Sequence, residues 1–235
     1  MGRLRLLRRA LAMAACLAVL EPAAAGFGGS VGASTDSVYR GISESAGDPS
    51  VQAGVHYAWD NGAFAGVRGA SIKRRRADGT QDLFQLDSFA GYGFSRSDAW
   101  SGRLMLIHYA YPWSDPLRRG HDELAGTVTW LGRISLSAAV SPNRPGFDDT
   151  RDLASNYELG LRWPVTASLS LDAGAGYHDL SRVYDTAYAY WSTGATWTVR
   201  GVSLGLAWIG ADDEARDGYG DTADNRVVGS ALWVF

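Results

Sequence analysis

Thirteen charged or histidine side chains recur within stretches that are otherwise apolar at every second position, and they are the residues best placed to do chemistry. Six are arginines, five are carboxylates and two are histidines. They are Asp36, Arg40, His56, Arg68, Asp87, Arg103, Glu123, Arg133, Glu158, Arg162, Asp172, His178 and Arg200. Charges of both signs along one wet surface steer ions and polar solutes. Their near balance predicts weak ion selectivity unless the two signs segregate on opposite walls.

A hydrolytic alternative would require a serine, a histidine and an acid held in one geometry. The chain has four histidines, and none of its serines lies in a glycine-flanked nucleophile turn that is followed by a spaced His/Asp arrangement. His178 follows a segment that carries Asp172, but both fit a lumen or a rim equally well. We therefore expect no enzymatic activity, and we keep a lipid-modifying enzyme as an alternative.

Two charged stretches could bind ligands at a surface. Residues 210–224 are rich in carboxylates and match part of a calcium loop, but Ala215 occupies the third ligand position. A solvated loop is the better interpretation, so we expect no metal or cofactor. The basic run at residues 73–76 could contact lipopolysaccharide phosphates, although an ordinary basic loop is an equal alternative.

Alternation of apolar and polar residues predicts the elements that position these groups. In residues 166–178, for example, Leu169 and Leu171 alternate with Ser170 and Asp172. Successive side chains of a β-strand point to opposite faces, so one face is apolar and the other polar. If the apolar face meets lipid, the thirteen residues line a lumen. An arginine facing lipid at mid-bilayer would cost about 2–4 kcal/mol, which independently favours the inward direction.

About twelve such segments can be distinguished, most of them long enough to cross a bilayer when tilted. They are residues 29–42, 50–59, 63–72, 83–94, 99–111, 121–131, 133–141, 153–163, 166–178, 186–199, 201–209 and 225–235. An even number of strands returns both ends of the barrel to the same side of a membrane.

Short and long connectors alternate between these segments. Tight hinges lie at residues 60–62, 95–98, 131–132, 164–165 and 200–201, and polar stretches lie at 73–82, 112–120, 141–152, 178–185 and 210–224. This asymmetry is typical of an antiparallel transmembrane β-barrel with short periplasmic turns and longer extracellular loops. We predict an all-β barrel over residues 26–235 in the outer membrane. A soluble exported β domain is the alternative fold.

Aromatic residues mark the ends of the apolar faces. Six tryptophans lie near predicted strand ends: Trp59, Trp100, Trp130, Trp163, Trp208 and Trp233. Tryptophan favours the headgroup level of a bilayer, so we interpret them as a girdle. In the last segment Val227, Trp233 and the terminal Phe235 share one face. Outer-membrane barrels typically end in this way, which predicts recognition of Phe235 by the barrel-assembly machinery.

The first 25 residues have the composition of a signal peptide. Four arginines within residues 3–9 precede an apolar stretch at 10–20, and three alanines at 23–25 form a small-residue cleavage site. Cys16, the only cysteine, lies inside this segment, so the mature chain would have no thiol chemistry. The net charge of −3 gives no indication of nucleic-acid binding.

Residues 36–45, with Pro49 and Gln52, resemble the opening of the TorF-type porins, small proteobacterial proteins formerly described as conserved hypothetical outer-membrane proteins. The shared positions are Tyr39, Arg40, Gly41, Ile42, Ser43, Pro49 and Gln52, continued by Gly62, Phe64, Ala65 and Gly66. The chain departs from the pattern at Ser37, where an aromatic is expected, and at Arg68, where tryptophan is usual. The resemblance ends near residue 72 and implies an outer-membrane channel without catalytic residues.

We therefore expect an outer-membrane porin that lets small hydrophilic solutes or ions diffuse passively, with outer-membrane lipid and lipopolysaccharide around it. A structural or surface-binding barrel with a plugged lumen is the first alternative, because narrow barrels fill with side chains. The lipid-modifying enzyme is the second.

Overall fold

A computed structural model of the chain describes residues 25–76, 79–112, 120–146 and 150–235. Residues 1–24 of the predicted signal peptide lie outside this range. Twelve strands form a closed antiparallel barrel, each paired with its neighbours in chain order, and the first strand pairs with the last to close the ring. The predicted fold class and strand number are thus confirmed.

The barrel strands agree with the predicted segments to within a few residues at most ends. They are β1 (Gly26–Ser34), β4 (Ser50–Ala58), β5 (Ala63–Arg76), β6 (Gly79–Ser95), β7 (Trp100–Ala110), β8 (His121–Trp130), β9 (Ile134–Pro145), β10 (Arg151–Pro164), β11 (Leu169–Leu180), β12 (Thr186–Val199), β13 (Val202–Ala211) and β14 (Arg226–Val234). Outside the ring, β2 (Val38–Tyr39) and β3 (Ile42–Ser43) form a small hairpin.

Two predicted boundaries are wrong. The first strand was expected to reach residue 42, but it ends at Ser34, and residues 35–49 leave the wall. The polar stretch 73–82 was expected to be a loop, but most of it is strand, since β5 continues to Arg76 and pairs there with Gly79. A strand that rises beyond the membrane needs no apolar face, so polarity alone does not mark a loop.

The outer face of the barrel is apolar and the inner face is polar, as the alternation predicts. Leu171 is 51% exposed on the outside, whereas its neighbour Asp172 is 8% exposed. All six girdle tryptophans and Phe235 have exposed side chains. A closed sheet satisfies its own backbone hydrogen bonds, which is the requirement for a β structure inside lipid. The protein is therefore an outer-membrane β-barrel.

The two rims of the barrel differ in the length of their connections. The periplasmic rim carries the short turns and both ends of the barrel, because Gly26 pairs with Ala58 beside the first turn and Gly29 bonds to Phe235. The opposite rim carries helix α1 (Ser181–Tyr184), helix α2 (Asp213–Tyr219) and a 3-10 turn (Gly220–Ala223). None of the helices among the described residues is long and apolar enough to span a membrane.

Candidate functional site: the lumen and its hairpin

Residues 35–49, which we call the luminal hairpin, fold into the barrel from the extracellular side. Tyr39 pairs with Ile42, so Arg40 and Gly41 form the two-residue turn at the tip. Both have positive φ angles, 51° and 82°. Turns of this kind need positive φ at both central residues, and the hairpin tip therefore has a defined conformation.

The tip of the hairpin contacts two separated parts of the barrel wall. On one side Arg40 forms a 2.8 Å ion pair with Glu123 on β8. On the other side a Cβ added to Gly41 would lie 2.7 Å from the Cβ of Tyr190 on β12 and 3.2 Å from that of Ala211 on β13. The hairpin therefore crosses the lumen and narrows it.

The root of the hairpin is held by a buried carboxylate. Asp36 accepts hydrogen bonds from the hydroxyls of Ser43 at 2.6 Å and Ser45 at 2.7 Å. Its other oxygen pairs with Arg226 on β14 at 2.6 Å. Lys73 on β5 adds a 2.8 Å ion pair to Asp48 at the rim. These contacts fix the hairpin to both sides of the seam between the first and last strands.

Two further ion pairs lie inside the wall between residues in direct cross-strand register. Arg68 pairs with Asp87 across β5 and β6, and Arg162 pairs with Asp172 at 2.7 Å across β10 and β11. Thr196 donates a 2.7 Å hydrogen bond to the same Asp172 carboxylate. These four charges lie on the inner face of the barrel, and they neutralise one another in pairs.

Four of the predicted lining residues remain, two of them charged and two of them histidines. Glu158 accepts a 2.9 Å hydrogen bond from the hydroxyl of Tyr190, and Arg103 lies on the inner face of β7. His56 also faces inward, beside Gly28. His178 is buried, lies 3.1 Å from the carbonyl oxygen of Ser155, and makes an edge contact with Tyr188.

Two predicted lining residues lie elsewhere. Arg133 and Arg200 occupy short periplasmic turns and have exposed side chains, and the Arg133 guanidinium lies 5.1 Å over the outward ring of Trp163. They lie next to strand ends, so in the sequence they fall on the inward-facing positions of the alternating pattern. The strands, however, begin after them, at Ile134 and Val202, so parity does not apply.

The inner wall is uneven. Near β4–β8 it is filled by an apolar cluster of Ala58, Phe64, Phe89, Met105 and Ile107, packed with Tyr109. From β8 to β13 many inward positions carry small side chains. They include Thr127, Ser137, Ser170, Gly174, Gly176, Ser192, Gly194, Thr196, Ser203 and Gly205. These residues lie toward the periplasmic rim, and at the upper end of this wall the ring of Tyr190 covers Gly176.

A cluster at the hairpin tip contains residues that the sequence analysis missed. The hydroxyls of Tyr39 and Tyr109 lie 3.4 Å apart, and the ring of His121 stacks on Tyr109 at 4.5 Å. Arg144 approaches the Nε2 atom of His121 at 2.6 Å. A register shift between Asp152 and Ala154 in the adjoining strand marks an irregularity at this level, so simple alternation could not assign Arg144 to the lumen.

The outer face carries one polar row near the extracellular rim. His108 Nδ1 lies 2.7 Å from Asp122 Oδ1, and Asn143 Nδ2 donates to the other Asp122 oxygen at 2.8 Å. Ser88 is directly opposite His108 on β6. Within the described parts of the chain, no group of His, Cys, Asp and Glu is arranged to hold a metal ion. In the last loop Asp212 instead caps helix α2, accepting from the Ala215 N–H at 3.1 Å.

Solved outer-membrane barrels have a similar fold at very low sequence identity. The COG4313 outer membrane channel from Pseudomonas putida F1 is 14% identical with a TM-score of 0.59, over 91% of this chain and 96% of that one. The KdgM porin is 8% identical with a TM-score of 0.55, over 88% and 99%. The NanC porin is 9% identical with a TM-score of 0.54, over 89% and 98%. At these identities the similarity establishes the barrel fold alone.

No curated protein matches the sequence. A family model described as a bacterial protein of unknown function, Gcw_chp, matches residues 21–235, which include the whole barrel and its luminal hairpin. The chain therefore belongs to the Gcw_chp family.

Proposed function

We propose that the protein is a passive channel through which small hydrophilic solutes or ions diffuse, with the luminal hairpin as its constriction. The observation that carries the proposal is the wall from β8 to β13, where small hydroxyl side chains and glycines line the periplasmic half of the lumen below the hairpin tip. Diffusion along a wet wall needs no catalytic group and no cofactor. The likeness of residues 36–52 to TorF-type porins supports the same proposal.

The plugged barrel is the main rival. The hairpin and the two apolar clusters occupy much of the interior, and the second cluster packs Ala215 of α2 and Ala223 against Leu180, Tyr188 and Tyr190 at the extracellular mouth. A structural barrel would pack its whole cross-section in this way. The small residues opposite the apolar cluster of β4–β8 favour a passage instead.

Planar-bilayer recording of the refolded full-length protein decides between these two. A channel gives reproducible single-channel steps whose size scales with salt concentration. A variant with residues 36–48 replaced by a short glycine–serine linker should conduct several-fold more, because the constriction is gone. If neither the wild-type protein nor the linker variant gives current steps at any voltage, although both show heat-modifiable migration on gels, the channel proposal is rejected.

A second candidate, a lipid-acting enzyme, is favoured by one observation. Ser88, His108 and Asp122 stand side by side on three neighbouring strands of the lipid-facing surface, with the acid on Nδ1 of the histidine, which is the arrangement of a nucleophile, a base and an orienting group. His178, the histidine that sequence analysis considered for this role, is buried inside the barrel and cannot meet lipid.

Fatty-acid release from phospholipid micelles tests this candidate. Activity that is lost in His108→Ala and retained in His178→Ala would support an enzyme on the outer wall. Absence of release by the wild-type protein would remove it.

A further inference from the structure

We propose that Arg144 forms a binding site for small carboxylate anions in the lumen, at the level of the hairpin tip. The proposal deepens the channel function and rests on it, because the site lies on the path that a solute would take. No sequence motif indicates this site. It depends on three features of the structure: charge pairing, the support of the guanidinium, and the chemistry around it.

The first feature is that Arg144 is not neutralised. Four lumen-facing arginines have a carboxylate partner, in the pairs Arg40–Glu123, Arg68–Asp87, Arg162–Asp172 and Arg226–Asp36. Arg144, by contrast, forms no ion pair with any carboxylate in the described parts of the chain. Its guanidinium forms a side-chain hydrogen bond with the Nε2 atom of His121 at 2.6 Å.

The second feature is the rigidity of its support. An arginine can only donate, so the Nε2 atom of His121 accepts the bond and the imidazole is neutral, with its proton on Nδ1. The His121 side chain is 2% exposed and its ring lies nearly parallel to that of Tyr109, at an interplanar angle of 11°. A packed, stacked imidazole holds one edge of the guanidinium, and the other N–H donors are available to a solute.

The third feature is the surrounding chemistry. The phenol groups of Tyr39, Tyr111 and Tyr184 lie within electrostatic range of Arg144, as does the guanidinium of Arg40. A guanidinium presents parallel N–H donors that match the two oxygens of a carboxylate. Tyrosines add ring surfaces and neutral hydroxyl groups without competing charge. Two arginines against one paired carboxylate, Glu123, leave this level of the lumen net positive.

The carboxyl group of Glu44 is the one anionic group of the hairpin that could compete for Arg144. It lies within electrostatic range of Arg144 but forms no ion pair with it among the described residues. Burial and the nearby Asp87 raise the pKa of Glu44 to about 7, so near neutral pH it is only partly ionised. A solute carboxylate, which is ionised at that pH, is the better partner.

Block of the chloride current by glycerate, with uncharged glycerol as the matched control, tests the site. We expect glycerate to reduce the current in a saturable way and glycerol to have little effect at equal concentration. Arg144→Gln should raise the half-blocking concentration about tenfold, the effect of one charge-assisted hydrogen bond. Arg133→Gln, which removes the same charge from the outer surface of the periplasmic rim, should leave it within about twofold of wild type.

Equal block of wild type and Arg144→Gln, or equal block by glycerol, overturns the anion site while leaving the channel intact. If the wild-type protein does not conduct, the channel proposal fails, and calorimetric titration of glycerate into the detergent-folded barrel decides the site with the same variants. If Arg144→Gln fails to fold, Arg144→Lys is the second variant, because it keeps the charge but lacks the parallel N–H donors of the guanidinium. It is then expected to bind glycerate several-fold more weakly, and unchanged binding would reject bidentate recognition.

Discussion

Arg40 and Glu123 form an ion pair that is almost wholly removed from solvent, with side-chain exposures of 9% and 3%. Such a pair contributes little net stability compared with an apolar replacement, but loss of one partner leaves an uncompensated buried charge. The pair therefore acts mainly on the position of the hairpin tip, which it ties to β8.

A double-mutant cycle tests this account. Arg40→Met should lower the free energy of unfolding by about 3 kcal/mol, because Glu123 loses its partner. Arg40→Met combined with Glu123→Gln should recover most of that loss, as measured by urea unfolding in detergent. Additive effects of the two substitutions would contradict a direct coupling.

Glu44 should make the stability of the hairpin dependent on pH. Its pKa is raised to about 7 by burial and by Asp87, whereas in the unfolded chain a glutamate titrates near 4.3. The folded state thus holds a proton that the unfolded state has released, and stability falls as pH rises from about 4.5 through 7. Glu44→Gln should raise the temperature of heat-modified migration at pH 8 and leave it unchanged at pH 4. An equal effect at both pH values would exclude titration of this group.

Alternation assigns residues to a face only within regular strands. The lumen positions of Asp87, Glu158 and Asp172 follow from parity within regular strands. Arg133 lies in a turn, where alternation does not apply, and Arg144 lies near a register shift within a stretch that the sequence predicts to be a loop. Pairing between residues far apart in the chain, such as Asp36 with Arg226, leaves no signal in one sequence.

At the scale of the element, the hairpin depends on a glycine at its tip. Gly41 and Gly47 both have positive φ, 82° and 84°, so alanine is strained equally at the two positions. Only at Gly41 would the added Cβ meet neighbours, at 2.7 Å from Tyr190, whereas nothing lies within 4 Å of it at Gly47.

Gly41→Ala should therefore displace the tip and change single-channel conductance or its noise, whereas Gly47→Ala should not. Bilayer recordings of the two variants at one salt concentration make the comparison. Identical traces would mean that the tip does not limit the current.

The hairpin was missed in the sequence because residues 29–42 are long enough to form one spanning strand. Residues 38–42 are partly apolar although their alternation is weak, and the turn at Arg40 has no asparagine or aspartate to mark it. The information that it folds inward resides in partners on β8 and β12, more than eighty residues away.

At the scale of the whole molecule, the two faces of each strand should differ sharply in tolerance. Leu171→Arg places a charge in the lipid-facing belt, at a cost of about 2–4 kcal/mol near the bilayer centre. Asp172→Asn keeps the shape of the side chain and weakens its ion pair with Arg162, but it places no charge in lipid. The yield of heat-modifiable protein in outer-membrane fractions should fall strongly for the first variant and much less for the second. Comparable yields would contradict the assignment of faces.

The end of the chain offers a second test at this scale. Phe235 is exposed beside Trp233, at a ring distance of 4.8 Å, and its backbone pairs with Gly29 across the seam. We expect deletion of Phe235 to slow assembly in cells by removing the residue that the barrel-assembly machinery reads. Refolding of the purified protein into detergent should change much less, and equal impairment in both settings would indicate a structural role instead.

Asp36 and Arg226 are 190 residues apart, yet their contact latches the hairpin to the final strand. Arg226 lies on the last strand, so a barrel that has formed all its other strands still has no partner for Asp36. Narrowing of the lumen is therefore coupled to completion of the polypeptide, and a truncated protein that inserted without β14 would leave the cell envelope with an unlatched, leaky opening.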